Sequence, residues 1–218
     1  MAEFTLYIGN KTYSSWSLRA WLVLKHAGVA FDEVVIPLYQ PESRAEILKH
    51  SPTGRVPSLK HGEVTVWDSL AIAEYLADLF PQAQLWPADP DARAMARGVS
   101  AEMHAGFVAL RQNMPMNLRE AFPGQGLSPA VRTDINRITA LWRDCRRRFA
   151  GHKPFLFGDF TIADAMYAPV VTRFVTYGLP VDDDARDYMA AVTGLPEMQA
   201  WTEAAHREPW MIPKYEVA

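Results

Sequence analysis

Three hydroxyls crowd the run Ser14-Ser15-Trp16-Ser17, just before a stretch with helical periodicity. The first turn of a helix has N–H groups with no intrahelical partner and carries partial positive charge, so anions settle there. A serine at such a point has two uses. Its oxygen accepts from a backbone N–H as a cap, or its hydroxyl donates to an anion. Asp68-Ser69 is a second place of this kind, opening the periodic run Ser69 to Leu79. Between them, Gly54-Arg55-Val56-Pro57 puts a proline at the start of a β-prone segment, where its missing N–H is tolerated at a strand edge.

Other chemistry-bearing residues read as structural. Thr161-Ile162-Ala163-Asp164 has the S/T-x-x-D spacing of a capping box, and Phe160 before it is placed to staple onto Ala165. The box accounts for Asp164 without a catalytic role. The histidines at 26, 50, 61, 104, 152 and 206 have no ligand spacing, so no metal is expected. Gly9-Asn10-Lys11-Thr12 ends like a phosphate loop but lacks the earlier glycine, and Arg146-Arg147-Arg148 reads as a solvated helix face.

The elements that must position these residues follow from pattern. Phe4 to Ile8 is β-prone and stops at Gly9-Asn10; a helix runs from Ser15, with Gly28 as its stop; Phe31 to Ile36 is a second strand. A short helix fits Glu42 to Lys49. Val56 to Leu59 and Val64 to Trp67 read as strands joined at His61-Gly62, and the helix from Ser69 follows. This β-α-β-α-β-β-α order occupies residues 1–80. The prolines of 81–90 mark a linker, and 91–218 is helical throughout: Asp91 to Arg111, Pro129 to Phe149, Ile162 to Tyr177, Asp183 to Val192 and Glu197 to Ala205. Within the first of these, His104, Phe107, Val108 and Arg111 fall on one face.

A length of 218 residues, 49% hydrophobic and 22% charged, is ordinary for a globular chain and leaves no room for wholesale disorder. Net charge −3 gives no electrostatic reason to expect nucleic acid or an anionic membrane. No apolar run approaches the roughly 20 residues of a membrane span, and Met1-Ala2-Glu3-Phe4-Thr5 lacks the character of a signal peptide. Cys145 is the sole cysteine, which excludes an intramolecular disulfide. A cytoplasmic protein is expected.

The order of Ser14-Ser15-Trp16-Ser17-Leu18-Arg19, Gly54-Arg55-Val56-Pro57, Trp67-Asp68-Ser69-Leu70-Ala71-Ile72 and Phe160-Thr161-Ile162-Ala163-Asp164-Ala165 resembles the glutathione S-transferase superfamily over essentially the whole chain. Its N-terminal half is most similar to the zeta class and related serine-type bacterial members. The resemblance implies an α/β thioredoxin-like N-terminal domain followed by an all-α helical bundle, with glutathione as co-substrate. It also implies a homodimer, and a cleft for a hydrophobic or electrophilic small molecule, as in detoxification. By the same resemblance Ser14 is the catalytic serine, with Ser15 beside it. Arg55, Val56 and a cis Pro57 form an edge that pairs with the cysteinyl backbone. Ser69 takes the γ-glutamyl carboxylate, and Asp68, shorter than the family's Glu or Gln, stands near the ammonium.

The energy needed at Ser14 is modest. Half-ionising a thiol of pKa about 8.5 at pH 7 takes roughly 2 kcal/mol. One charge-assisted hydrogen bond supplies about 1.5–3 kcal/mol, and the helix terminus about 0.3–1 kcal/mol more. Ser15 is the expected cap and Ser14 the expected thiol partner. Tyr7 is the rival donor, since other classes use a tyrosine at the end of the first strand; Tyr13 reads as packing. Arg19 is expected against an acid or the inter-domain face. Arg111 either receives an anionic substrate or makes a structural salt bridge. Trp16 stands where the zeta pattern has cysteine, which sets conjugation ahead of maleylacetoacetate isomerisation. A non-catalytic glutathione or ligand carrier is the remaining alternative.

Overall fold

The computed structural model describes residues 3–216; Met1 and Ala2, where the stretch read as lacking a leader begins, and Val217 and Ala218 lie outside the described residues. Strands β1 (Phe4–Ile8), β2 (Phe31–Val35), β3 (Ser58–His61) and β4 (Val64–Trp67) form one sheet in the order β2-β1-β3-β4. β1 is parallel to β2 across helix α1 (Ser15–His26) and antiparallel to β3, while β3 and β4 form a hairpin. The hairpin turns at Gly62, whose φ of 56° suits glycine. Alternation in β1 sends Phe4, Leu6 and Ile8 into the core and leaves Thr5 and Tyr7 half-buried. Helices α2 (Ser43–Leu48) and α3 (Ser69–Leu79) complete this half.

The second half is helical: α4 (Pro90–Ala105), α5 (Val108–Asn113), α6 (Pro129–Cys145), α7 (Ile162–Thr176), α8 (Asp183–Thr193) and α9 (Pro196–Arg207). α7 is its centre. All its residues except Val175 are buried, which matches an apolar character on every side rather than a stripe. It packs on α1 and on α4, so one hydrophobic core runs from Phe4 in the sheet to Trp201 in α9. Among the described residues no helix is long and apolar enough to cross a membrane.

Four element boundaries differ from the sequence expectation. The helix expected from Asp91 to Arg111 breaks at Gly106 and Phe107, the latter left-handed at φ 53°. A side chain at Gly106 would stand 2.7 Å from the Glu102 carbonyl oxygen, so glycine permits the tight exit. His104, Phe107, Val108 and Arg111 therefore do not share a helical face: Phe107 is buried and Val108 exposed. Within 81–90, Pro81 opens a 3₁₀ turn (Pro81–Ala83) and Pro90 opens α4 itself. Both occupy a first helical position, where proline's fixed φ and absent N–H do no harm. β3 begins at Ser58 rather than Val56, and α6 gives way to a wider π turn over Arg146–Ala150.

Candidate functional site

Ser14 is placed by the turn before α1. Tyr13 and Ser14 donate their N–H groups to the Asn10 carbonyl at 3.2 and 2.8 Å. Asn10 Oδ1 in turn accepts from Leu38 N–H at 2.8 Å. The turn is also held from the far end of the chain. Glu208 accepts from Lys11 N–H at 2.7 Å and Thr12 N–H at 3.1 Å, and Trp201 Nε1 donates to the Lys11 carbonyl at 3.0 Å. Contrary to the expectation for Ser15, the cap position belongs to Ser14, at φ −83° and ψ 81°, yet its side chain makes no capping bond. Its Oγ lies 2.7 Å from Ser17 Oγ, which accepts from Gly9 N–H at 3.0 Å. Ser15, one residue inside the helix, accepts from Arg173 Nη2 at 3.3 Å. The reason is positional: the helix begins at Ser15, as the periodicity implied, so the cap position falls on the residue before it.

Two adjoining clefts open here. One, of about 530 Å³, is lined by Ser14, Ser15, Tyr39, Met116 and Tyr215 among others. The other, of about 640 Å³, is lined by Pro57, Asp68, Ser69 and His104. Trp16, Arg55, Val56 and Arg111 line both, which makes them one continuous site divided by the indole. The Val56–Pro57 peptide is cis.

The far end is the start of α3. Asp68 sits at φ 75° and ψ 136°, outside the regions an ordinary side chain favours, and such strain recurs where ligands are gripped. Its Oδ1 accepts from Leu70 N–H at 2.9 Å and Ala71 N–H at 3.3 Å, and its Oδ2 lies 3.1 Å from His104 Nε2 on α4. The Ser69 hydroxyl is buried with no hydrogen-bond partner among the described residues. Buried polar groups are nearly always paired, so a ligand is the natural partner.

The wall of the site is cationic. Arg19 stacks on Trp16 with its guanidinium carbon 4.1 Å from the ring centre, and Arg111 does so at 4.9 Å. His104 meets the same ring edge-on at 5.2 Å. Burial, then the nearby Arg173 and Arg111 charges, pushes the Arg19 guanidinium well below its ordinary pKa. Arg173 falls to about 10, through burial and then repulsion from Arg111. Arg111 donates to the Gly106 carbonyl at 3.0 Å and not to a carboxylate, so the salt-bridge reading is replaced by a packed, half-buried cation facing the cleft. Arg19 lies at the inter-domain face: its Nε donates to the Met166 carbonyl at 2.9 Å, and its terminal nitrogens have no hydrogen-bond partner among the described residues.

The remaining candidates separate cleanly. Tyr7 stacks on His50 at 3.9 Å beside Lys60 and Trp67, away from both clefts. Asp164 is fully buried and accepts from Thr161 N–H as its half of a capping box; it also accepts from Leu156 N–H and the Thr161 hydroxyl. Arg147 and Arg148 are exposed and pair with Asp144. Among the described residues no cluster of His, Cys, Asp or Glu is arranged to hold a metal. Sequence reasoning missed Arg173, Glu208 and the Ser17 contact, and it did not pair His104 with Asp68. Only Ser17 carried a signal, its i+3 spacing from Ser14.

Two family models match this chain: the glutathione S-transferase N-terminal domain over residues 13–79, and the glutathione S-transferase C-terminal domain over 128–204. The chain belongs to the glutathione S-transferase family. It is similar to glutathione S-transferase Z2 of Arabidopsis thaliana, 31% identical over 168 residues that cover 72% of this chain and 75% of that one. It also resembles a probable maleylacetoacetate isomerase of Caenorhabditis elegans, 28% identical over 170 residues and 76% of each chain. A glutathione transferase homolog from Burkholderia, solved with bound glutathione, superposes with a TM-score of 0.71 at 27% identity, covering 93% of this chain and 97% of that one. The family fold places a small sheet domain beside an all-helical one, as found here.

Proposed function

We propose that this member of the family binds glutathione along the Val56–Pro57 edge, ionises its thiol beside Ser14 and adds the sulfur to an electrophile held against α4, α5 and the C-terminal segment. One observation carries the reading: a serine at the N-terminus of α1 that does not spend its oxygen on capping and borders the cleft. Ser69, buried at the start of α3 with no hydrogen-bond partner among the described residues, supports a carboxylate at the other end. Asp68 is a weaker candidate for the ammonium than the resemblance implied, because α3 and His104 already engage both of its oxygens. Arg55 lines both clefts from an exposed position and is assigned to the rim of the glutathione site. A homodimer, inferred from family membership, completes the reading and is measurable by light scattering.

The Ser14→Ala variant tests the chemistry. Losing a charge-assisted bond of about 1.5–3 kcal/mol should raise the thiol pKa of bound glutathione by about one to two units. Turnover of a model aromatic halide at neutral pH should fall at least about tenfold, while an S-methylated glutathione binds as before. An unmoved thiolate titration, read by ultraviolet absorbance, overturns the assignment. Glutathione-dependent isomerisation is the second reading, favoured by relatives named as maleylacetoacetate isomerases and by the cationic wall. Glutathione accounting separates the two: conjugation consumes the thiol, and isomerisation returns it. Tight glutathione binding with neither outcome leaves a carrier.

A further inference from the structure

We infer that Ser17 is the positioning residue for Ser14, fixing the direction in which its single proton points. The inference rests on Ser14 being the donor to sulfur, and it starts from counting protons. A hydroxyl has one proton to donate and two lone pairs to accept with. Ser17 Oγ already accepts from Gly9 N–H at 3.0 Å, and it lies 2.7 Å from Ser14 Oγ. Both hydroxyls are buried, Ser17 fully so.

Among the described residues Ser17 Oγ has hydrogen-bond partners only in Gly9 N–H and Ser14 Oγ; it does not turn back onto the Tyr13 or Ser14 carbonyl as a helical serine commonly does. Its proton therefore goes to Ser14 Oγ. That fills one Ser14 lone pair from behind and leaves the Ser14 proton for the cleft. The chain Gly9 N–H to Ser17 to Ser14 to sulfur is then head-to-tail. Each link polarises the next and strengthens the terminal bond, by an order of 10–30% per bond.

The arrangement also accounts for the missing cap. Had Ser14 Oγ accepted from a backbone N–H of α1, its rotamer would point along the helix rather than into the cleft. Ser17, one turn on, holds it in place instead. Gly9 anchors the other end because the backbone there packs closely: a side chain at that position would stand 2.6 Å from Leu38. The chain thus ties the end of β1 and the first turn of α1 to one oxygen. No proton is transferred through it. Ser17 orients and polarises.

The test uses the full chain with glutathione itself, comparing Ser17→Ala, Ser14→Ala and the double variant. Alanine fits the volume of serine at both positions, and circular dichroism checks the fold. Ser17→Ala should raise the thiol pKa of bound glutathione by about half a unit, lowering neutral-pH activity about threefold. Activity should recover once the pH exceeds the new pKa, and binding of S-methylglutathione should not change. A purely structural defect would instead depress activity at every pH. Because Ser17 acts through Ser14, the double variant should titrate like Ser14→Ala alone. An unshifted Ser17→Ala beside a shifted Ser14→Ala overturns this inference and leaves the proposed chemistry standing, as does an additive shift in the double variant. An unshifted Ser14→Ala removes the reading on which the inference rests.

Discussion

Ser69 and Tyr7 are matched probes at the level of single hydroxyls. Ser69→Ala deletes a buried hydroxyl that has no hydrogen-bond partner among the described residues, so folding loses nothing from its removal and can gain, since an unsatisfied buried hydroxyl costs about 1–3 kcal/mol. Binding should tell the opposite story. A hydrogen bond to a carboxylate is worth about 1.5–3 kcal/mol, so the glutathione dissociation constant should rise about 10- to 100-fold. Fluorescence titration paired with thermal unfolding checks both halves; a variant that binds normally moves the carboxylate site elsewhere. Tyr7→Phe should change neither quantity, because that ring packs on His50 and borders neither cleft.

Among the elements, α7 depends on a carboxylate that burial makes costly to ionise. Burial raises Asp164 from 3.8 to about 6, against the Leu156 and Thr161 N–H groups and the Thr161 and Tyr188 hydroxyls that hold it down. A group whose folded pKa exceeds its unfolded value adds stability that is full below the unfolded pKa and is lost as pH rises through the folded one. The Asp164 contribution should therefore be complete below about pH 4 and fade through about pH 6. Asp164→Asn removes this slope, so the melting temperatures of the two proteins should diverge in the variant's favour on going from pH 4.5 to 7.5, a window taken at roughly these limits. Asp164→Ala strips an acceptor from these buried donors and should cost at least about 2 kcal/mol at any pH. Glutathione affinity of the folded variants should match the parent, because Asp164 borders neither cleft. An affinity loss without a stability loss would give Asp164 a ligand role after all.

Over the whole molecule, the C-terminal segment reaches back to grip the loop that carries Ser14. Glu208 accepts two of that loop's N–H groups and the Thr12 hydroxyl, while Arg119 donates to the Glu208 carbonyl at 2.8 Å. Glu208→Ala should leave Lys11 and Thr12 without their acceptor, costing about 2 kcal/mol or more. It should also speed amide exchange at those two positions and lower activity from a site outside the cleft lining. Protection at Lys11 and Thr12 equal to that of the parent protein would show that the grip is not what holds the loop. Arg19 and Arg173 bind the two halves in another way, both fully buried between α1 and α7 and both with lowered pKa. They differ in satisfaction: Arg173 finds Met114 O, Pro169 O and Ser15 Oγ, while the terminal nitrogens of Arg19 have no hydrogen-bond partner among the described residues.

What the sequence determined by itself is local. The Asp68 cap, the stop at Gly28 and the capping box at Thr161 are all set by residues within a turn or two of each other. Such spacings survive in one dimension. The break at Gly106–Phe107 was legible only as a glycine, because the apolar spacing continues through it and periodicity cannot see a left-handed residue. Tertiary structure alone decided which hydroxyl is free. A serine's rotamer follows its neighbours, and those of Ser14 and Ser15 are Ser17, itself held by Gly9, and Arg173, which is 158 residues from Ser15 along the chain. It also decided that Asp68 meets His104, and that Arg19 and Arg111 both stack on Trp16 where the two clefts adjoin. These contacts exist because α1, α4 and α7 pack around one core, and packing brings together side chains whose separation in sequence carries no signal of their meeting.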